Sequence, residues 1–211
     1  AAAVHTAART ANRKWVRFCG TTRWCAPWMV RQPYAESLDY GMLQCTDLLE
    51  SHNELTARLR AFLLAVVVGD LPLARQGLIS FAALLEAHSL AEDQILLPAF
   101  TDLGLETNGC SLDILQKEHR KLRRLLAEAR QRVFADGVKL TPAMRLLWIE
   151  DTRLLKEVLD HHDVRERAAF HPAFDSALEQ AEAAALAGET QALEHKLEAQ
   201  LLAQYSAEYA L

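Results

Sequence analysis

Two stretches of the chain repeat one phrase. His88 is followed four residues later by Glu92 and, after five more intervening residues, by Pro98, Ala99 and Phe100. His162 is followed in the same way by Glu166 and by Pro172, Ala173 and Phe174. Residues four apart stack one turn above each other on one face of a helix. Each pair is therefore presented by a helix, and each helix is expected to stop before its proline. An upstream histidine precedes each pair, and both open a similar short pattern: His52 to Leu55 and His119 to Leu122. The duplication reads as two metal half-sites carried on helices.

The spacing of apolar residues supports an all-helical chain. From residue 38 they recur every three or four positions almost everywhere. Leu and Ala dominate, and only 8 Gly and 6 Pro are present. A first helix carries Cys45, Leu48, Leu49, His52, Leu55, Leu59, Phe62 and Val66 on one face and ends at Gly69. Asp70 caps a second helix with Pro72 in its first turn. That helix turns Phe81, Leu84, Leu85, His88, Glu92 and Ile95 inward. Ser111 caps a third, with Leu115, His119, Leu122 and Leu126 inward, closed by Asp136 and Gly137. Thr141 and Pro142 open a fourth, with Trp148, Leu155, Leu159, His162 and Glu166 inward. Residues 37–174 are thus expected to form an up-and-down four-helix bundle. Residues 175–211 are expected to be a helical tail broken at Gly188, packed on the bundle or on a second copy as a homodimer.

Other features narrow the classes. Residues 1–31 hold six Lys or Arg, three Trp and no acid, which a basic presequence could resemble. We read residues 1–36 as a basic, tryptophan-containing extension, poorly ordered and without a function of its own. The four cysteines, at 19, 25, 45 and 110, form no close pair, as expected of reduced thiols in a cytoplasmic protein. No apolar run approaches the roughly 18–20 residues of a membrane span, so no membrane partner is expected. The net charge of −5 argues against a nucleic-acid partner.

Counting from the turns places the four histidines at one depth. His52 lies 17 residues before Gly69 and His88 lies 18 after Asp70. His88 lies 9 before Leu97 and His119 lies 8 after Ser111. His119 lies 18 before Gly137 and His162 lies 21 after Thr141, a mismatch within one helical turn of about 5 Å. Helix periodicity alone does not require such a layer. One histidine on an apolar face is ordinarily a satisfied core residue, but buried carboxylates without partners are costly. Six residues sharing faces and depth, His52, His88, Glu92, His119, His162 and Glu166, are best explained as ligands. Four imidazoles and two carboxylates suit iron, manganese or zinc better than calcium or copper(I). Both glutamates could bridge two ions, each ion completed by two histidines. The surrounding leucines, 55, 59, 85, 122, 126, 155 and 159, would make the pocket dry and narrow, favouring a diatomic ligand.

This pattern resembles the hemerythrin-like, cation-binding HHE family over roughly residues 38–174. The resemblance implies a non-haem di-iron centre with an oxo or hydroxo bridge. His52 and His88 would hold one iron, His119 and His162 the other, with Glu92 and Glu166 bridging. Oxygen carriers of the family have a further histidine one turn from the third-helix ligand, where this chain has Arg123 on one side and Leu115 on the other. The four-His, two-Glu set is closest to the branch that repairs iron–sulfur centres after nitrosative or oxidative stress. That branch often carries adjacent N-terminal cysteines, which Cys19 and Cys25 are not.

The remaining candidates are assigned by spacing. His162 is preferred over the adjacent His161, which sits about 100° round the helix. His171, nine residues past His162, falls on the opposite face and reads as surface. His5 and His195 lie outside the pattern, and Cys45 and Trp148 read as core. Asp93 and Asp163 adjoin proposed ligands, and ordered metal-ligating histidines need outer acceptors. The expected function is binding of O2 or NO, or iron handling, in stress. Alternatives are iron sensing or storage, with the tail as readout, and a peroxidase- or oxidase-like enzyme, for which the inner layer offers no evident proton donor.

Overall fold

A computed structural model describes residues 43–107 and 110–209. Among them the chain is helical, with one isolated bridge between Thr107 and Cys110 and no strand. A 3-10 turn, Cys45–Leu49, leads into α1, Glu50–Val68. There follow α2, Leu71–Ala91; α3, Leu97–Asp102; α4, Leu112–Val133; α5, Pro142–Arg165; α6, His171–Ala177; and α7, Gln180–Glu208. No helix among the described residues is long and apolar enough to cross a membrane. Residues 1–36, with His5, Cys19 and Cys25, lie outside the described residues.

The local signals act where the sequence puts them. Gly69 ends α1 at φ +90°, a left-handed conformation that glycine adopts without a Cβ clash. The side chains of Asp70, Ser111 and Thr141 accept from the backbone N–H groups of Leu73, Ile114 and Met144. Each cap satisfies a free helix-end donor and contributes about 1 kcal/mol. At Gly77 the α1–α2 approach is so close that a Cβ would stand 3.1 Å from the Phe62 Cα.

Two expectations about helix ends are corrected. Neither Pro98 nor Pro172 stops its helix. Between α2 and α3 the chain makes a π-helical turn, Glu92–Leu96, and between α5 and α6 a second, Glu166–Phe170. In each, an N–H reaches back five residues, Leu97 to Glu92 and His171 to Glu166. The wider turn carries the chain into a proline placed in the first turn of the next helix, where the missing N–H costs little. Nor does Gly188 break the tail: α7 is continuous through it. An interior glycine costs only about 1 kcal/mol relative to alanine, and the alanines and glutamates around it are strong helix formers.

α1 packs on α2 and α5, α4 packs on α2 and α5, and α7 runs along α2. With α1 and α7 both against it, α2 buries residues nearly all round, including Ala74, Ala82, Ala83 and Ala87. The apolar interior is divided in two. The larger cluster includes Leu55, Phe62, Leu85, Leu122 and Leu159; the smaller includes Cys45, Leu48, Leu96, Leu115 and Phe170. Along the chain His52 falls between Leu48 and Leu55, His88 between Leu85 and Leu96, His119 between Leu115 and Leu122, and His162 between Leu159 and Phe170, each time between one cluster and the other. The polar layer therefore lies between two dry ones.

Candidate metal centre

All six residues singled out by the sequence meet in this layer. His52, His88, Glu92, His119, His162 and Glu166 are each at most 3% exposed. His52 comes from α1, His88 from α2, His119 from α4 and His162 from α5, while each glutamate opens a π turn. Of the two neighbours, His161 is exposed and His162 lies buried in the layer. His195 is exposed as well. Cys45 is fully buried, and burial pushes its thiol up to about 12, so it is a protonated core residue. Trp148 lies in the larger cluster.

The imidazoles meet in pairs. His52 Nε2 stands 2.9 Å from His88 Nε2, and His119 Nε2 stands 3.3 Å from His162 Nε2. The glutamates lie between the pairs. Glu166 Oε2 is 3.0 Å from His52 Nε2 and Glu166 Oε1 is 3.1 Å from His162 Nε2. Glu92 Oε2 is 3.3 Å from His119 Nε2 and 3.6 Å from His88 Nε2. None of the four carboxylate oxygens has an aligned hydrogen bond.

The outer nitrogens are held by carboxylates. His52 Nδ1 is 2.5 Å from Asp163, His119 Nδ1 is 2.7 Å from Asp93, and His88 Nδ1 is 3.0 Å from Glu194. His162 Nδ1 stands 3.5 Å from Glu118. These acids are themselves anchored: Asp163 by Arg167, Asp93 by Arg123, Glu118 by Arg165 and Glu194 by the Ser51 hydroxyl. A carboxylate on Nδ1 keeps the hydrogen there and turns the Nε2 lone pair inward.

His171 corrects the sequence reading. It is fully buried, not at the surface. Its Nε2 lies 3.5 Å from Glu92 Oε1 and 3.7 Å from Glu166 Oε2, and neither ring nitrogen has a hydrogen-bond partner. The cause is the second π turn. Nine α-helical residues would carry His171 to the face opposite His162, but one residue absorbed in a π turn rotates the next helix back by about 100°. The inner layer thus holds a fifth imidazole. Glu194 was also missed, because it lies on a helix remote in sequence from the repeat.

The electrostatics of the layer favour positive charge. Burial lowers the His52 imidazole, but Asp163 and Glu166 more than reverse this and hold it at about 10. His119 is held at about 10 against burial by Asp93 and Glu92, and His171 at about 9 by Glu166 and Glu92. Burial raises the Glu92 carboxyl, yet the charge of His88 and contacts with His119 and His171 bring it well below its ordinary value. Positive charge is therefore wanted between these groups. One proton shared in an N–H···N hydrogen bond can serve each facing pair, whereas two N–H groups cannot point at each other across 2.9 Å. A metal ion could take the place of that proton and bind both nitrogens. Nitrogens near 3 Å apart are what two ligands at right angles on bonds of about 2.1 Å require. Ligand atoms of His52, His88, His162 and Glu166 all lie within 4.8 Å of one another, as do those of Glu92, His119, His162 and Glu166, and those of His52, Glu92, Glu166 and His171. The buried histidines and glutamates could hold a metal ion.

Comparison of the chain with protein-family models, with curated proteins and with solved structures gave no match.

Proposed function

We propose that the chain is a dinuclear, hemerythrin-like metal protein whose α1, α2, α4 and α5 act as an up-and-down four-helix bundle. The observation that carries this reading is the meeting of Nε2 atoms in two pairs, with carboxylates on the Nδ1 side and two unpaired glutamates between. His52 and His88 would hold one ion and His119 and His162 the other, with Glu92 and Glu166 shared. His171 would join the His52 side, since its group includes His52 and both glutamates. The nitrogen and oxygen donors fit iron, manganese or zinc, and the family resemblance favours two irons. Bound iron would supply one-electron chemistry and a position for O2 or NO.

The chain's own contribution is rigidity and dryness. Asp163, Asp93, Glu194 and Glu118 orient the rings, and the apolar clusters on both sides exclude water. Such a setting suits a small uncharged ligand better than a bulky polar substrate. We therefore read the function as O2 or NO binding, or iron handling, under oxidative or nitrosative stress. The test is exposure of the reduced, iron-loaded protein to NO, followed by electron paramagnetic resonance. A dinuclear iron–nitrosyl signal, scaling with iron and lost in the Glu92→Ala variant, is expected. A second reading, iron sensing, is favoured by one contact: the carboxylate on His88 comes from α7, outside the four-helix set.

A further inference from the structure

The two half-sites are related by the repeat, yet they are not completed in the same way. His119 matches His52, His162 matches His88, and Glu166 matches Glu92. In the second half, the residue just before His119 is Glu118, and its carboxylate faces His162 Nδ1 at 3.5 Å. The corresponding residue before His52 is Ser51, whose short side chain offers no carboxylate to His88. Instead the Ser51 hydroxyl donates to Glu194 Oε1 at 2.7 Å, and Glu194 Oε2 takes His88 Nδ1 at 3.0 Å. A residue of α7 thus fills the role that Glu118 fills within the repeat.

Seating this carboxylate needs its partners. Glu194 is only 4% exposed. The other side chains that α7 buries are mostly small: Ala183, Ala184, Ala187 and Thr190, with Tyr205 the large exception. Its further anchors are polar, Glu198 with Arg58 at 2.5 Å and the Tyr205 hydroxyl donating to Glu86. Leu186 and Leu201 add partly buried apolar contacts, and in opposition to these a buried carboxylate without a donor would work against docking.

We infer that α7 is part of the metal centre and reads its occupancy, Glu194 completing the His88 half-site so that metal binding and the seating of α7 on α2 favour each other. The inference rests on the metal reading of the histidine layer. An ion on His88 Nε2 obliges the ring to keep its hydrogen on Nδ1, where it donates to Glu194. A metal-free ring is not so constrained, and with the hydrogen on Nε2 it would leave Glu194 with the Ser51 hydroxyl as its donor and a bare Nδ1 facing Oε2. Coupling of this kind is reciprocal: whatever metal does for α7, α7 does for metal affinity.

The experiment is hydrogen–deuterium exchange of the full chain, metal-free and loaded with iron(II) or cobalt(II), alongside metal affinity of Glu194→Ala and Glu194→Gln. Loading is expected to slow amides around Glu194 about tenfold or more, together with those of α1 and α2. Glu194→Ala is expected to weaken binding by about 10–100-fold, with Glu194→Gln between it and the wild type. Slowing confined to α1, α2, α4 and α5, or undiminished affinity in Glu194→Ala, overturns the inference while leaving the metal reading intact. Retention of no metal by the wild type, with no helix responding, overturns both. If Glu194→Ala does not fold, the wild-type exchange comparison decides alone.

Discussion

His52 and His88 bring their Nε2 atoms within 2.9 Å of each other, and a carboxylate stands behind each ring. With each Nδ1 hydrogen given to its carboxylate, two neutral rings would face each other as acceptors. A proton or a metal ion between them removes that conflict. Glu92 and Glu166, buried and without aligned hydrogen bonds, favour positive charge there from the other side.

Removing either glutamate should therefore cost an ion. Glu92→Ala and Glu166→Ala are each expected to fall from about two metal ions per chain to one or fewer, measured by elemental analysis after gel filtration. His161→Ala, altering an exposed neighbour of His162, should keep the full complement. Equal metal content in all three would sink the assignment of the ligands.

His171 should make the two ions unlike. With three imidazoles on one side and two on the other, the cobalt(II)-loaded protein is expected to show hyperfine-shifted ring protons from five histidines. His171→Ala should lose one set and retain both ions. Four sets in the wild type would remove His171 from the ligand set.

The outer carboxylates should matter nearly as much as the ligands. Asp163→Asn and Asp93→Asn are each expected to weaken metal binding by about 10–100-fold in competition with a chelator. The fold should survive, because both residues lie at the edge of the core rather than within it.

Protons and metal compete for one site, so pH acts in opposite senses on the two forms. In the metal-free protein His52, His119 and His171 are raised from 6.5 to about 10, 10 and 9. Their stabilisation is complete below 6.5 and is lost as pH rises through 9 to 10. Asp163 is lowered from 3.8 to about 2, chiefly by His52, and Glu92 and Glu166 are lowered too. Their contribution is present above about 4.5 and is lost as pH falls through the depressed values. The metal-free midpoint should thus be highest between about pH 4.5 and 6.5. Metal affinity should instead climb from pH 6 towards 9, because binding must release the imidazole protons. A metal-free midpoint that rises steadily from pH 6 to 9 would contradict this.

Much of the inner layer was legible in the sequence for a geometric reason. The repeat states which residues share a face, and the turn signals at Gly69, Asp70, Ser111 and Thr141 state where each helix starts, so depth can be counted. The features that escaped depend on departures from the regular helix. The π turns at Glu92 and Glu166 carry no signal in apolar periodicity, although the prolines beyond them marked the place. Without that extra rotation, His171 counts to the wrong face. Glu194 was hidden differently. α7 buries alanines, a threonine and a glutamate rather than a leucine stripe, so its inward face does not stand out from its composition. Asp93 and Asp163 were visible beside the ligands, but only packing assigns Asp93 to His119 and Asp163 to His52.

The measurement closest to the central claim is metal content per chain, with a near-ultraviolet and visible spectrum, on protein purified from iron-supplied cells. A dinuclear centre predicts about two irons per chain and charge-transfer bands of a bridged di-iron site. Protein that retains no metal after both aerobic and anaerobic preparation would contradict it and leave the buried histidines to be satisfied by protons alone.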